Sequence, residues 1–420
     1  MELLILLYFI IGLVFLIGFV NKRLLSPTTI FLFSQVLFFF GLIQFLDFED
    51  PADEKIVWIY ILAILFFGVG SLLGAKLFWY SKKKVAFVEQ PFLHFQKERV
   101  SILIFISILL LVYFCYMTRF STLSIMFGSI LGNDMGDITD NRLLSYSVPG
   151  TAYIYMFRVT LFPIIVVSIL SKEYGYSKIK KAILIVIMVL FSLITGQRAG
   201  FVMVIFMWML SYLIRIFYQK KNVSGKLTSD SKYLKRRLFF IVIVFFVIFS
   251  FMSLVNGRVS NNVVSELVNR FLTDNQRTAY AGFRYIFDKD VTWGRNWYEE
   301  FVNLVFAGDR YLPLSKVINE VIYGTTRGTA PPCLWGSVFY NFSWIGVAVF
   351  AFLYGIFLQY IEYRFYSREI NTIRCSIYSY IFISLGMLVA GGPFQLVNNG
   401  FVPSIVLAYI LHVDKHAKRL

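Results

Sequence analysis

The sequence predicts an all-α polytopic membrane protein, and three observations predict it. Hydrophobic residues make up 58% of the 420-residue chain and charged residues only 15%, well under the roughly 25% of a soluble domain. Apolar stretches of about twenty residues recur along the whole length, the length a helix needs to cross a bilayer. The short segments between them sort by charge sign, with basic clusters falling on alternate connections, as the positive-inside bias requires. Most of the formal net charge of +16 lies in those short loops. Attraction to an anionic leaflet accounts for it, and nucleic acid is not an expected partner.

In chain order the expected spans are 2–20, 27–46, 56–79, 101–118, 151–170, 182–196, 200–218, 239–256, 335–358, 375–392 and 397–412. The first is apolar for too long to be a cleaved signal peptide, follows the acidic Glu2, and has Lys22-Arg23 behind it rather than ahead. It is expected to be a retained helix with its N-terminus outside. Alternating sidedness then puts Asn21–Ser26, Tyr80–Val100, Ser171–Lys181, Gln219–Leu238, Gln359–Arg374 and the tail Asp414–Leu420 on one face. Those segments hold Lys82-Lys83-Lys84, Lys180-Lys181 and Lys235-Arg236-Arg237. The opposite face receives Asp47–Glu54, with five carboxylates and no basic residue. One orientation satisfies every strongly charged loop, with the C-terminus cytoplasmic. The last span is short and contains Pro403, and the turn at 196–199 is tight.

The whole chain, 1–420, is expected to form a single integral membrane domain with two longer outer segments. Residues 119–150 carry Asp134, Asp137, Asp140 and Arg142 among Gly and Ser. Residues 257–334, between the eighth and ninth spans, are too long for a simple connection. Their apolar content excludes disorder. Val264, Leu267, Val268, Phe271, Ala279, Phe283 and Ile286 recur at helical spacing, and Asn296–Ala307 reads as a short interfacial helix with Trp297, Phe301 and Val305.

The chemistry is carried by arginine. Segment 257–334 holds arginine at 258, 270, 277, 284, 295, 310 and 327, but lysine only at 289 and 316. The inward loop 219–238 reverses this, with five lysines and only Arg236 and Arg237. Guanidinium is a planar fork that grips phosphate at two points, whereas ammonium is a point charge. An anionic substrate at the outer surface is therefore expected. Arg270, Arg277 and Arg284 are seven apart, which aligns them on one helix face as a rail for phosphate or, equally, as a solvated face among Asp274, Asp288 and Asp290. Arg198 stands between glycines in Gly196-Gln197-Arg198-Ala199-Gly200, where backbone and ligand can approach closely. Arg158 lies inside the fifth span, where a charge is a functional candidate or half of a buried pair.

His94, His412 and His416 all fall on the inward side, so an outer-face base has to be a carboxylate or tyrosine. Asp309, Glu299, Glu300 and Asp274 are the candidates, with Asp309-Arg310-Tyr311 slightly favoured. Cys115, Cys333 and Cys375 are scattered, and neither a disulfide framework nor metal-ligand spacing follows. No P-loop, dinucleotide fingerprint or nucleophile elbow is present, so no metal and no cofactor is expected.

The stretch Gly324-Thr-Thr-Arg327-Gly-Thr-Ala-Pro331-Pro332 leads into Trp335-Gly336, Phe339-Tyr340-Asn341-Phe342 and Trp344-Ile345-Gly346. It resembles the end of the large outer loop in bacterial oligosaccharide repeat-unit polymerases of the Wzy (O-antigen) type. The glycine-flanked Arg198 and the dominant outer segment are similar to that family as well. O-antigen ligases share the architecture but carry an outer-face histidine that this chain lacks. The resemblance implies a GT-C-like bundle at the bacterial cytoplasmic (inner) membrane, joining oligosaccharides carried on undecaprenyl pyrophosphate. It implies Arg198 and Arg327 as catalytic residues with Tyr340 and Asn341 at the substrate. Asp309 is the expected base, and Arg158, Arg258, Arg270, Arg277 and Arg284 are expected to bind substrate. Membrane lipids and a chain-length regulator protein are the further expected partners. A flippase or other transporter of lipid-linked oligosaccharide, or a related ligase, is the alternative, although polar residues crowd one face and the two halves differ.

Overall fold

In a computed structural model the chain is helical, and no strand forms among the described residues. The described residues are 25–78, 94–117, 161–170, 176–194, 199–219, 270–305, 310–326, 328–367, 370, 372–393, 396, 401–402 and 405–407. The expected spans 2–20 and 239–256 and the segment 119–150 lie outside them, and spans 151–170 and 397–412 are covered only in part.

Helix α1 (Pro27–Ile43) starts where Ser26 Oγ accepts the Thr29 N–H at 3.1 Å and Pro27 takes the first helical position, a favoured N-terminal arrangement. Helix α2 (Pro51–Phe78) carries Asp53 and Glu54 in its first turn and Lys76 in its last, each complementing the helix dipole. There follow α3 (His94–Met117), α4 (Phe162–Leu170), α5 (Lys178–Ile194) and α6 (Ala199–Gln219). Segment 257–334 supplies a π turn (Arg270–Asp274), then α7 (Asn275–Phe287), α8 (Arg295–Val305) and α9 (Leu314–Tyr323). Helix α9 ends on Gly324 in the left-handed conformation, φ 68°. Helix α10 (Cys333–Tyr366) and α11 (Thr372–Gly386), the latter running on into the 3₁₀ turn Met387–Ala390, complete the described order.

Four helices among the described residues are long and apolar enough to cross a membrane: Pro51–Phe78, Glu98–Met117, Cys333–Tyr366 and Thr372–Ala390. Phe33, Phe40, Val69, Leu77, Ile345 and Leu353 all stand exposed on such helices or on the apolar α1. An apolar outer surface of this kind suits lipid rather than water.

The chain forms two compact units, one of Met1–Lys83, Asn262–Ser367 and Phe382–Leu396, the other of Lys84–Asn261, Arg368–Ile381 and Val397–Leu420. In the second unit α4 is buried along most of its length, through Phe162, Ile164, Ile165, Val166 and Ile169. There Ser211 Oγ meets Ser379 Oγ at 2.9 Å and the Cys375 thiol donates to the Ser211 carbonyl at 3.3 Å, the kind of interhelical polar contact that replaces the hydrophobic effect inside lipid.

In the first unit α2 and α10 pack backbone to backbone. A Cβ on Gly70 would strike the Phe352 carbonyl oxygen, and one on Gly355 the Phe67 carbonyl and the Ser71 nitrogen. Gly70 and Gly74 are a small-xxx-small pair, the spacing that lets membrane helices approach closely. Beside the seam Phe31 meets the Phe67 and Tyr354 rings at 4.9 and 5.0 Å.

The ends of this unit are tied by polar groups. At one end Gln359 Nε2 donates to Thr28 Oγ1 at 2.9 Å and Ser71 Oγ at 3.1 Å, and Tyr366 Oη donates to the Leu25 carbonyl at 2.7 Å. Those contacts explain why α10 runs on to Tyr366, where the sequence predicts a span ending at 358 and then an inward loop. At the other end Asp50 and Asp53 meet α7, and α8 meets the start of α10.

Candidate functional site at the broken start of α10

Helix α10 is entered through Pro331-Pro332 and begins on Cys333 with φ 62°. It is broken at Ser343, whose φ of 56° and ψ of −155° are not helical. The stretch from 344 to 366 is roughly 34 Å long at 1.5 Å per residue, enough to cross the hydrocarbon by itself. The segment before the break carries Trp335, Ser337, Tyr340 and Asn341, and the helices of segment 257–334 fasten to it. Gly282 of α7 lets the helix approach closely, since a Cβ there would lie 3.1 Å from Pro332 Cα.

Asn341 is the bolt. It is fully buried, its Nδ2 donates to the Ser337 carbonyl at 2.9 Å, and its Oδ1 accepts from Thr292 Oγ1 at 3.1 Å and the Trp297 N–H at 3.2 Å. The Thr292 N–H donates to the Tyr340 carbonyl at 3.0 Å, and Trp297 Nε1 donates to Ser337 Oγ at 3.0 Å. Trp293 and Gly294 have φ of 50° and 86°, and this left-handed pair turns the chain into α8. The Tyr340 phenol lies within electrostatic reach of Tyr285, Glu299 and Arg295.

Helix α8 is amphipathic in an inverted sense. Its outward face presents Tyr298 and Phe301, preceded by the exposed Trp293, while Asn296, Glu299, Glu300 and Asn303 lie on the face turned inward. Residues three and four apart share a helix face. Asn303 holds the returning chain, giving Nδ2 to the Tyr311 carbonyl at 2.7 Å and accepting the Tyr311 N–H at 3.1 Å. Asn296 is 6% exposed and, among the described residues, its Oδ1 has no hydrogen-bond partner. Burial pushes the Glu300 carboxyl up to about 7, because the anion loses hydration and, among the described residues, meets no cation in exchange. Trp297 packs against the Phe342 ring at 5.2 Å.

The second polar cluster is an ion lock. Arg284 of α7 pairs with Asp50 and, at 3.2 Å, with Asp53. Asp53 is fully buried and also accepts the Asp47 N–H at 2.8 Å and the Tyr280 hydroxyl at 3.2 Å. The hydrogen bond from Arg284 holds the Asp50 carboxyl below its usual range, and the same bond raises the guanidinium. Desolvation, then the Asp53 charge, raises the Tyr280 phenol.

Of the residues singled out in the sequence, Arg158, Arg198, Arg258, Asp309 and Arg327 lie outside the described residues. Arg270 opens the π turn Arg270–Asp274, and Arg277 and Arg284 follow on α7. Arg277 is exposed and, among the described residues, without an ion-pair partner; Arg284 is committed to two carboxylates. Tyr340 and Asn341 stand together at the seam between α8 and α10. Sequence reasoning did not single out Thr292, Ser337 or the Asp50–Asp53 pair. The loop of carboxylates without a cation was the available signal for the lock, and the Asn296–Glu300 spacing opposite Tyr298 and Phe301 was the signal for the inward polar face. No family model, curated protein or solved structure matches the chain.

Proposed function

We propose that the chain is a membrane-embedded glycosyltransferase with a GT-C-like bundle of about eleven spans. In this reading it polymerises oligosaccharide repeat units carried on undecaprenyl pyrophosphate, at the outer face of the bacterial cytoplasmic membrane, into an O-antigen or capsular-type polysaccharide. The observation that carries the reading is the built seam at the start of α10: Tyr340 and Asn341, on which the family resemblance rests, stand where the outer helices are clamped to an apolar helix pair. A segment of this size that folds onto the end of a helical bundle is a working surface rather than a connection.

In the reaction an acceptor-sugar hydroxyl attacks the anomeric carbon of the growing chain, and the bond from that carbon to the pyrophosphate oxygen breaks. Charge develops on the leaving pyrophosphate near the lipid surface, where guanidinium groups stabilise it more strongly than in water. Arg198 and Arg327 are assigned that role, with the exposed Arg277 as an accessory contact. Arg284 is assigned to the fold instead, because its donors already face Asp50 and Asp53.

Purified protein in lipid, given pyrophosphate-linked repeat units and no nucleotide, is expected to produce a ladder of longer glycans with release of undecaprenyl pyrophosphate. Replacing Arg198 or Arg327 by lysine is expected to weaken the ladder, since a point charge loses the two-point grip. Unchanged glycan length with movement of the lipid across the bilayer would establish a flippase instead.

A further inference from the structure

We propose that Glu300 receives the proton of the acceptor-sugar hydroxyl, acting from the inward face of α8 beside Asn296; this rests on the polymerase reading above. Three observations assemble the site without reference to Asp309. Helix α8 cannot rotate, because Trp297 is held by Asn341 and Ser337 and Asn303 by the Tyr311 backbone. That grip turns Glu300 and Asn296, one helical turn apart, toward the same side. Among the described residues the buried Asn296 Oδ1 lacks a donor, and a buried acceptor without one is an anomaly that a ligand hydroxyl removes. Glu300 lies at intermediate exposure, so a sugar can reach it, yet no cation among the described residues pairs with it.

On α8 itself Arg295 and Glu299 pair with each other at 2.9 Å, and Tyr340 on α10 is within electrostatic reach of that pair. Desolvation alone raises Glu300 to about 7, the range in which a base is both available and strong enough at neutral pH. In the step the hydroxyl oxygen forms the bond to the anomeric carbon as its proton passes to a Glu300 carboxylate oxygen. The electron pair of the broken carbon–oxygen bond leaves with undecaprenyl pyrophosphate, and Glu300 then gives the proton to water.

The test needs no variant in its first arm. Dicyclohexylcarbodiimide reacts with protonated carboxyls shielded from water, and peptide mass spectrometry locates the adduct. Labelling of Glu300 in the wild-type protein is expected to fall as pH rises through about 7 and to slow when the lipid-linked repeat unit is present. In the second arm the initial rate of ladder formation is expected to rise about tenfold from about pH 6 to 8. Glu300→Gln should lower it on the order of a hundredfold and flatten the profile. Glu300→Asp should recover part of the rate, and Glu320→Gln, an exposed carboxyl on α9, should keep the wild-type profile. A ladder from wild type with Glu300 unlabelled or unprotected overturns this proposal and leaves the polymerase reading standing. Glu300→Gln with wild-type rate and profile overturns it too. No ladder from wild type, with Glu300 labelled through the same pH range, overturns the polymerase reading itself.

Discussion

Helices α7 and α8 belong to the same segment, 257–334, and carry the same kinds of charge, yet they treat them in opposite ways. On α7 a guanidinium is met by two carboxylates, Asp50 just before α2 and the fully buried Asp53 in its first turn. On α8 a carboxyl is drawn away from water, and among the described residues no cation meets it. The first arrangement fastens a helix to the end of the bundle. The second keeps an ionisable group at a disadvantage that folding by itself does not require, and such groups concentrate at functional sites.

The two helices should therefore respond to pH with opposite signs. The Asp50 carboxyl is depressed in the folded protein, so the stability it contributes is present above the unfolded value of ~3.9 and is lost as pH falls through the folded value. The Glu300 carboxyl is raised from an ordinary ~4.3 to about 7. Below ~4.3 it costs nothing, and the cost grows as pH climbs to the folded value, because the folded state holds the proton more tightly. Glu300→Gln should then match wild type near ~pH 4 and exceed it at ~pH 8 by ~1–3 kcal/mol, the shift discounted for partial exposure. Melting curves in detergent at the two pH values decide this, and equal differences at both would show that burial of Glu300 has no energetic consequence.

Breaking the bolt comes next in size. Asn341→Ala takes the acceptor from the Trp297 N–H and leaves the Thr292 hydroxyl only the Tyr340 carbonyl at 3.2 Å, at a cost of ~1–3 kcal/mol. Faster hydrogen exchange at the Trp297 amide should accompany the loss. Exchange unchanged at that amide would mean α8 is held by something other than this residue.

The lock on α7 should be weaker because Arg284 is partly exposed, its side chain retaining 41% of its accessible surface. Arg284→Ala still leaves Asp53 buried, with the Asp47 N–H and Tyr280 hydroxyl as remaining donors, so ~1–2 kcal/mol is expected. Arg277→Ala, by contrast, should leave the melting temperature in place and raise the KM for the lipid-linked unit. The reverse pattern in the two arginines would exchange their roles.

How much of this was legible in the sequence divides along the same line. Apolar length gave the existence of α2, α3, α10 and α11, because a span must be long and greasy whatever it touches, but not the start of α3 at His94 or the end of α10 at Tyr366. The close approach of Gly70 and Gly355 was legible in principle from small residues at helical spacing. What could not be read was the partner of each charge. Seven-residue spacing aligns arginines only if the helix is regular, and residues 270–274 form a π turn. Glu300 ranked no higher than Glu299 because both are glutamates in one helix; only the burial of one and the pairing of the other with Arg295 separate them. Positive φ at Ser343, where no glycine stands, is likewise a tertiary outcome without a local sequence signal.

The smallest expected effect is also the most discriminating control. Arg295 pairs with Glu299 four residues on, with 79% of the arginine side chain exposed. Exposed pairs of this spacing are worth under ~0.5 kcal/mol. Here the cation precedes the anion, the less favourable order, and it stands at the positive end of the helix dipole. Arg295→Ala should thus change the melting temperature by less than the error of measurement. Any loss of ladder formation in that variant would come from the reaction and not from the fold. If activity also holds, the polymerase reading places the arginines that matter to the pyrophosphate elsewhere, at Arg198, Arg327 and the exposed Arg277. Should it collapse, the guanidinium beside Tyr340 contacts substrate, and the α8 face carries both the proton acceptor and a phosphate contact.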